Sequence, residues 1–478
     1  MPVDLDELFT AMRSDADAVP LGPAATARER GRQRNRNRAI LAAAAAVLVL
    51  VTGVGTVMRY GQQEKTLPAG PVNRIRGLEP VGRPIVFGGE GSTWRTTVSY
   101  GDRIYGVSEL RNGENRVVAV DAATGKLAWA AGPFHPFYDY GGPIMADGSL
   151  LVVDPHSAGT SLKFLKPANG AGGLSLGYDD SIRMVIGDGI LVTHGTKTGL
   201  TSAYDLAKGT RLWRTSDGAG RTTTILGMQT GAYDRVEAYY GPPLTISDDG
   251  FVQIGKDGRV RVRDMGTGAT RIELPAGAPG AQSPVAYDGQ LIAGYRDEET
   301  GRYQIKITDL TGESGTPRLV YEPTVESGAR TVLPCGTGRI CVGRQEPSGV
   351  VAVDTARQAE LWTASLPTQF TAVTQSRGGR VLVGDAGQTA LHDQDGRALI
   401  AGPGDGRFVD DENVLWQEQA ESGVVLSAVS ATDGSRIRIG ETPPRGGNCT
   451  WTDEYLACPV SPGEGASELR IWRFTRGR

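Results

Sequence analysis

A unit of roughly forty residues recurs through most of this 478-residue chain, and that period limits the fold more than any local propensity does. The clearest copy runs Ala119-Val-Asp121-Ala-Ala-Thr124-Gly125-Lys126-Leu-Ala-Trp129. Its frame, Ala-x-Asp followed by a glycine and then a tryptophan, returns at Ala203, Asp205, Gly209 and Trp213. A third copy keeps Ala352, Asp354 and Trp362 but places Gln358 where the glycine stands elsewhere. Looser copies turn at Asp264, Asp309 and Asp393, and two degenerate ones lie around Lys166 and Ser430.

A second turn signal interleaves with the first. Asp147-Gly148, Asp188-Gly189, Asp249-Gly250 and Asp288-Gly289 each precede alternating apolar residues, with looser relatives near residues 101, 337, 378, 411 and 453. Such dipeptides mark tight hairpins, because glycine and Asx residues tolerate the positive φ that those turns need. The 67 glycines of the chain fit many short strands better than long helices. Two hairpins per repeat make a four-stranded antiparallel blade, and blades avoid exposed edges by packing radially into a ring. The expected fold class is therefore all-β, a β-propeller. Nine candidate first hairpins and eight second hairpins can be counted, which allows seven to nine blades; eight is favoured, since larger rings are rare. The last strand, Glu468 to Phe474, looks like the third of a blade whose fourth comes from the N-terminal side, with Arg83 to Gly89 as its candidate.

The repeat resembles the pyrroloquinoline-quinone-like (PQQ-like) β-propeller family, whose blades carry Ala-x-Asp-x-x-Thr-Gly-x-x-x-Trp. The likeness spans about residues 80 to 478 and is strongest at 119–129. It implies structural roles for Asp121, Gly125, Trp129, Asp205, Gly209, Trp213, Asp354 and Trp362: tryptophan between blades, aspartate and glycine in the turn. The family includes quinone dehydrogenases, assembly factors and sensor domains, so membership leaves function open. The dehydrogenases would need a calcium constellation and, in many members, two adjacent cysteines; neither can be placed here, and no cofactor is expected.

Ahead of the repeats the chain reads differently. Arg28, Arg30, Arg32, Arg34, Arg36 and Arg38 precede an uncharged stretch from Ala39 to Met58, long enough as a helix to cross a bilayer's apolar core of about 30 Å. The arginine excess on the N-terminal flank, against Arg59 beyond it, places residues 1–38 inside and the rest outside. The expected organisation is a cytoplasmic tail (1–38), a transmembrane helix (39–58), a juxtamembrane linker (59–80) and an extracytoplasmic propeller (81–478). In the tail, Leu5, Leu8, Phe9 and Met12 form an apolar stripe at helical spacing, a candidate face for a cytoplasmic partner. All four cysteines follow the span as two close pairs, Cys335 with Cys341 and Cys449 with Cys458, which reads as two disulfides in an exported domain.

The residues point to no active site. The four histidines show no metal spacing, and neither a nucleophile elbow nor a phosphate or dinucleotide loop is present. A net charge of −4 argues against a nucleic-acid partner. A cluster rich in rings, Phe134, His135, Phe137, Tyr138 and Tyr140, stands out in a chain with few aromatics and is a candidate binding surface. Gln229 to Pro243, with Tyr233, Tyr239 and Tyr240, is a second. The favoured reading is a membrane-tethered, non-catalytic module that binds a protein, peptide or glycan outside the cell membrane. The alternatives are a transmembrane regulator similar to bacterial anti-sigma factors and, last, a quinoprotein dehydrogenase.

Overall fold

The computed structural model describes residues 73–477, apart from 136–143, 147–148, 157–158, 180, 219–220, 231–243, 276–277, 279, 298, 313–314, 324–328, 345–347, 366–371, 386, 445–446 and 464–465. The chain divides into two compact units, Met1–Pro68 and Ala69–Arg478, and the described residues all belong to the second. They form strands and turns, and none lies in a helix long and apolar enough to cross a membrane. The expected span at 39–58, the tail with Leu5, Leu8, Phe9 and Met12, and residues 59–72 lie outside the described residues.

Antiparallel sheets follow one another along the chain. Seven are separate, and an eighth, of eight strands, consists of two four-stranded halves joined only by a short parallel pair, Met228 with Ala286 and Gln229 with Tyr287. Seven plus two gives nine blades among the described residues. In chain order, blades 1 to 8 occupy 93–134, 144–178, 182–216, 222–274, 282–321, 329–365, 372–403 and 405–442. Blade 9 takes three strands from 450–476 and its outermost strand from Ile75–Pro80.

The ring closes on that last strand. Ile75 pairs with Arg476 and Pro80 with Trp472, antiparallel to Ala466–Arg476. The linker expected over 59–80 therefore ends earlier, because residues 75–80 are part of blade 9. The segment Arg83 to Gly89 contributes only a bridge from Ile85 to Leu469. Gly82, at φ 65°, and Pro84, which has no N–H, interrupt the ladder between the two contacts. Asn413 clamps the incoming chain from blade 8: its side-chain oxygen accepts the Ile75 N–H at 3.0 Å, and its amide donates to the Asn73 carbonyl at 3.1 Å.

Closure also explains the hairpin count. Nine blades need nine first hairpins but only eight second ones, because the fourth strand of blade 9 is not covalently continuous with its third. The count is one above the eight favoured from sequence. In the long stretch after Ser216, Thr222–Gln229 opens blade 4, and Leu244–Ile246 joins blade 3 as a fifth strand, parallel to Ile182–Gly187.

Strand patterning accounts for the packing. Residues on opposite faces of each sheet enter opposite seams, so the middle strands are apolar on both sides and read as near-continuous runs such as Val117 to Val120. Nine apolar clusters result, each shared by two neighbouring blades. The closing seam sets Trp94, Ile104, Val118 and Val120 of blade 1 against Tyr455, Leu469 and Ile471 of blade 9. Two disulfides staple first hairpins, Cys335–Cys341 in blade 6 and Cys449–Cys458 in blade 9, with Cα atoms 5.6 and 4.2 Å apart. Loops this short contribute about 2–3 kcal/mol each in the chain-entropy account.

Alternating strand directions give the ring two distinct faces. One, the hairpin face, holds the first and last turns of each blade; the other, the link face, holds the middle turn and the connection to the next blade. On the hairpin face the repeat motif builds an Asx turn. The Asp121 carboxylate accepts from the Thr124 amide (2.8 Å) and hydroxyl (2.7 Å), while Gly125 takes φ 67° and donates to the Asp121 carbonyl. Asp205 with Gly209 and Asp354 with Gln358 repeat it. The tryptophan three strands' width from the axis then latches the next blade. Trp129 donates from its indole N–H to the Pro167 carbonyl (2.9 Å), Trp213 to Met265 (2.7 Å) and Trp362 to Gln394 (3.0 Å). Each indole lies against the turn glycine of that next blade, Gly170, Gly268 or Gly396, where an added Cβ would approach the ring within 2.5, 2.8 or 2.4 Å.

Gln358 holds φ 56°, a conformation that costs an L-residue about 1–2 kcal/mol. Relief of that strain by Gln358→Gly is partly offset by about 0.4–1 kcal/mol of added unfolded-chain entropy. Gln358→Gly is expected to raise stability slightly and Gly209→Ala, at φ 69°, to lower it by about 1 kcal/mol. Paired denaturant melts check this; shifts of the same sign in both variants would contradict the turn assignment.

Candidate functional site

Regular repeats fill the hairpin face, whereas the unusual polar residues gather on the link face of blades 1 to 4. The first group sits where blade 1 hands over to blade 2. Phe134 ends the outer strand Leu127–Phe134 and His135 follows it. The His135 amide donates to Asp154 (2.8 Å), its ring Nδ1 lies 3.1 Å from the same carboxylate oxygen, and its carbonyl accepts from the Asn115 side chain (3.0 Å). Lys163 pairs with the other Asp154 oxygen at 2.5 Å and places its ammonium 5.4 Å from the centre of the Phe134 ring. Burial alone would push the Asp154 carboxyl up, but hydrogen bonds from Lys163 and His135 outweigh it and hold the group below the ordinary carboxylate range. The result is a buried carboxylate that fixes an imidazole whose side chain is 58 % exposed.

This arrangement divides the aromatic segment. Phe134 is no surface residue: it is buried in the seam of blades 1 and 2 with Tyr105, Val107, Leu150 and Val152. An aromatic side chain at the end of an outer strand fills the space between blades before it reaches solvent. Phe137, Tyr138 and Tyr140 lie outside the described residues, as do residues 231–243 of the second tyrosine-rich stretch. At the ends of that stretch, Gln229 closes an inner strand at the hairpin face, opposite His135, and Leu244 opens the short strand beside Ile182–Gly187, level with Met184.

The seam of blades 3 and 4 holds a second polar group with no sequence motif. Gln253 donates to the carboxylate of Asp217 and to the Thr222 hydroxyl (2.8 Å), and Arg263 lies 3.8 Å from Asp217. His194 is fully buried, with Nδ1 2.9 Å from the Thr201 hydroxyl. Another buried histidine, His392, stacks on the Trp362 latch with ring centres 6.0 Å apart and sets Nδ1 3.2 Å from the Gly396 carbonyl. Among the described residues no group of three or more His, Cys, Asp or Glu is placed to hold a metal ion.

Residues 73–293 match a family model of PQQ-like repeats described as outer membrane protein assembly factor BamB. Those residues belong to the PQQ-like repeat family. The match covers blades 1 to 4 and the start of blade 5, including the degenerate blade 2. No curated protein matches the chain. Among solved structures, BamB from Moraxella catarrhalis is 14 % identical with a TM-score of 0.44, covering 83 % of this chain and all of that one. The computationally designed Ika8 protein is 17 % identical with a TM-score of 0.45, covering 76 % of this chain and all of its own. The fold itself stands on the sheet order and registers of this propeller.

Burial lowers the pKa of both His194 and His392 from the ordinary 6.5; Arg183 and Arg263 reinforce the shift at His194 while Asp217 opposes it, and the Gly396 carbonyl and Asp393 oppose it at His392. Because the unfolded chain takes up protons that the folded seams refuse, this contribution to stability is complete above pH about 6.5 and declines as pH falls below that. Thermal midpoints measured from pH about 7.5 down to 5 are expected to fall, and the double variant His194→Gln with His392→Gln to fall less steeply. An unchanged slope in the double variant would contradict neutral burial of these rings.

Proposed function

We propose that the protein is a membrane-tethered, non-catalytic binding module whose propeller lies outside the cytoplasmic membrane and meets a protein partner through the link face of blades 1 to 4. The pinned His135 carries this reading. Holding an exposed imidazole on a buried, charge-compensated carboxylate orders the chain just ahead of the aromatic run that begins at Phe137, and pre-ordering a contact segment reduces the entropy lost on association. Aromatic residues are those most enriched at the centres of protein interfaces. Two disulfides suit an oxidising compartment outside the cytoplasm, in keeping with the arginine-flanked apolar stretch at 39–58. The family likeness supports an interaction role through the description of its model as an assembly factor.

Site-specific photocross-linking in intact cells tests this reading. A benzoyl-phenylalanine at position 135 is expected to give a discrete light-dependent adduct, and one at position 126 on the hairpin face to give none. No adduct at 135, or the same adduct from both faces, would overturn it. The tether is checked separately: alkaline phosphatase fused after Gly70 is expected to be active, and an inactive fusion would place the propeller inside.

A further inference from the structure

Between blades 2 and 3 the link face opens into a cleft of about 260 Å³. The outer strand of blade 2, Gly172–Tyr178, forms one wall through Leu176 and the backbone at Gly177, and Ile182, Thr193 and Leu200 of blade 3 form the other. Leu162, Leu176 and Leu200 form apolar walls, and hydroxyl groups line the remainder.

We propose that this cleft binds one neutral sugar ring, a pyranose; the proposal deepens the reading of the propeller as a binding module and rests on it. Three side chains carry it. Ser202 lines the cleft and is 8 % exposed, and the half-buried Tyr204, two residues along the same strand and so on the same face, lines it beside Ser202. A hydroxyl both donates and accepts, so the two suit a ligand that does the same. At the rim, the Asp179 carboxylate is aimed by the hydroxyl and the amide of Ser181, the latter at 2.6 Å, which leaves acceptor capacity for vicinal sugar hydroxyls.

Charge and size narrow the ligand class. Among the described residues no Lys, Arg or His lines the cleft, which disfavours phosphates and carboxylates. Asp179, the one carboxylate among the described lining residues, has Lys197 in its field, which gives a free cation little advantage. The volume is too small for a folded peptide segment, while leucine walls suit the C–H face of a pyranose and the hydroxyls its rim.

Saturation-transfer NMR on the full chain in lipid nanodiscs, free of sugar-headed detergent, decides the matter. The probes are glucose, mannose, galactose and N-acetylglucosamine at millimolar concentration, with lysine and inorganic phosphate as charged comparisons. At least one sugar is expected to show transfer, and lysine and phosphate none. Ser202→Ala with Tyr204→Phe, which removes both hydroxyls and little volume, is expected to abolish the sugar signal at an unchanged thermal midpoint. Silence from all four sugars would overturn the proposal, as would a signal that survives the double variant or a cleft-dependent signal from lysine or phosphate. The cross-link from position 135 reads out separately, so loss of the sugar site with that adduct intact leaves the binding-module reading standing.

Discussion

Everything in this molecule depends on one non-covalent strand pairing, that of Ile75–Pro80 with Ala466–Arg476. A blade is apolar on both faces and cannot stand alone, so each needs a neighbour on either side. A row of such blades leaves two unsatisfied ends, and only a ring removes both. The chain achieves this by giving blade 9 three strands from one end and the fourth from the other, so that the closing seam, between Trp94, Ile104, Val118 and Val120 of blade 1 and Tyr455, Leu469 and Ile471 of blade 9, forms only once the ring closes. Each fully buried Leu, Ile or Val there contributes about 1.5–3 kcal/mol relative to exposure. Asn413 makes the entry of the closing strand specific, because both its amide and its carbonyl are satisfied by backbone of the incoming segment.

Much of this architecture was legible in the sequence because turns are local. Asp121, Asp205 and Asp264 announce their hairpins through a carboxylate that binds amides only two or three residues away, and the glycine that follows supplies the left-handed conformation. The latch tryptophans were visible for the same reason, standing at a set distance from those turns. The closing strand was not. Its residues, Ile-Arg-Gly-Leu-Glu-Pro, show no strong alternation, and their partner lies some four hundred residues away, whereas Arg83 to Gly89 looks more like a strand but is broken at Gly82 and Pro84. Blade 4 was obscured because its first strand and its second are separated by a long segment and by Leu244–Ile246, which hydrogen-bonds to the preceding blade.

The candidate site was less legible, for a different physical reason. His135 drew attention within an aromatic cluster, but the residue that fixes it, Asp154, belongs to the next blade and carries no motif. The polar seam of blades 3 and 4 draws His194, Asp217, Thr222, Gln253 and Arg263 from separate strands and loops, so no spacing betrays it. Phe134 shows the limit of composition: its ring reads as a surface anchor beside the tyrosines, yet the end of an outer strand turns it into the seam. The repeated Asx turns and latches thus lie on one face, and the pinned His135 on the other.

Nine blades form one ring, and the strand that precedes them holds it closed. Hydrogen–deuterium exchange of the full chain, followed by mass spectrometry, tests it most directly. Peptides covering residues 75–80 and 466–476 are predicted to be protected together, and to the same degree as the middle strands of blades 1 and 8. Rapid exchange of 75–80 while those middle strands stay protected would show that the ring does not close on this strand, and would contradict the account.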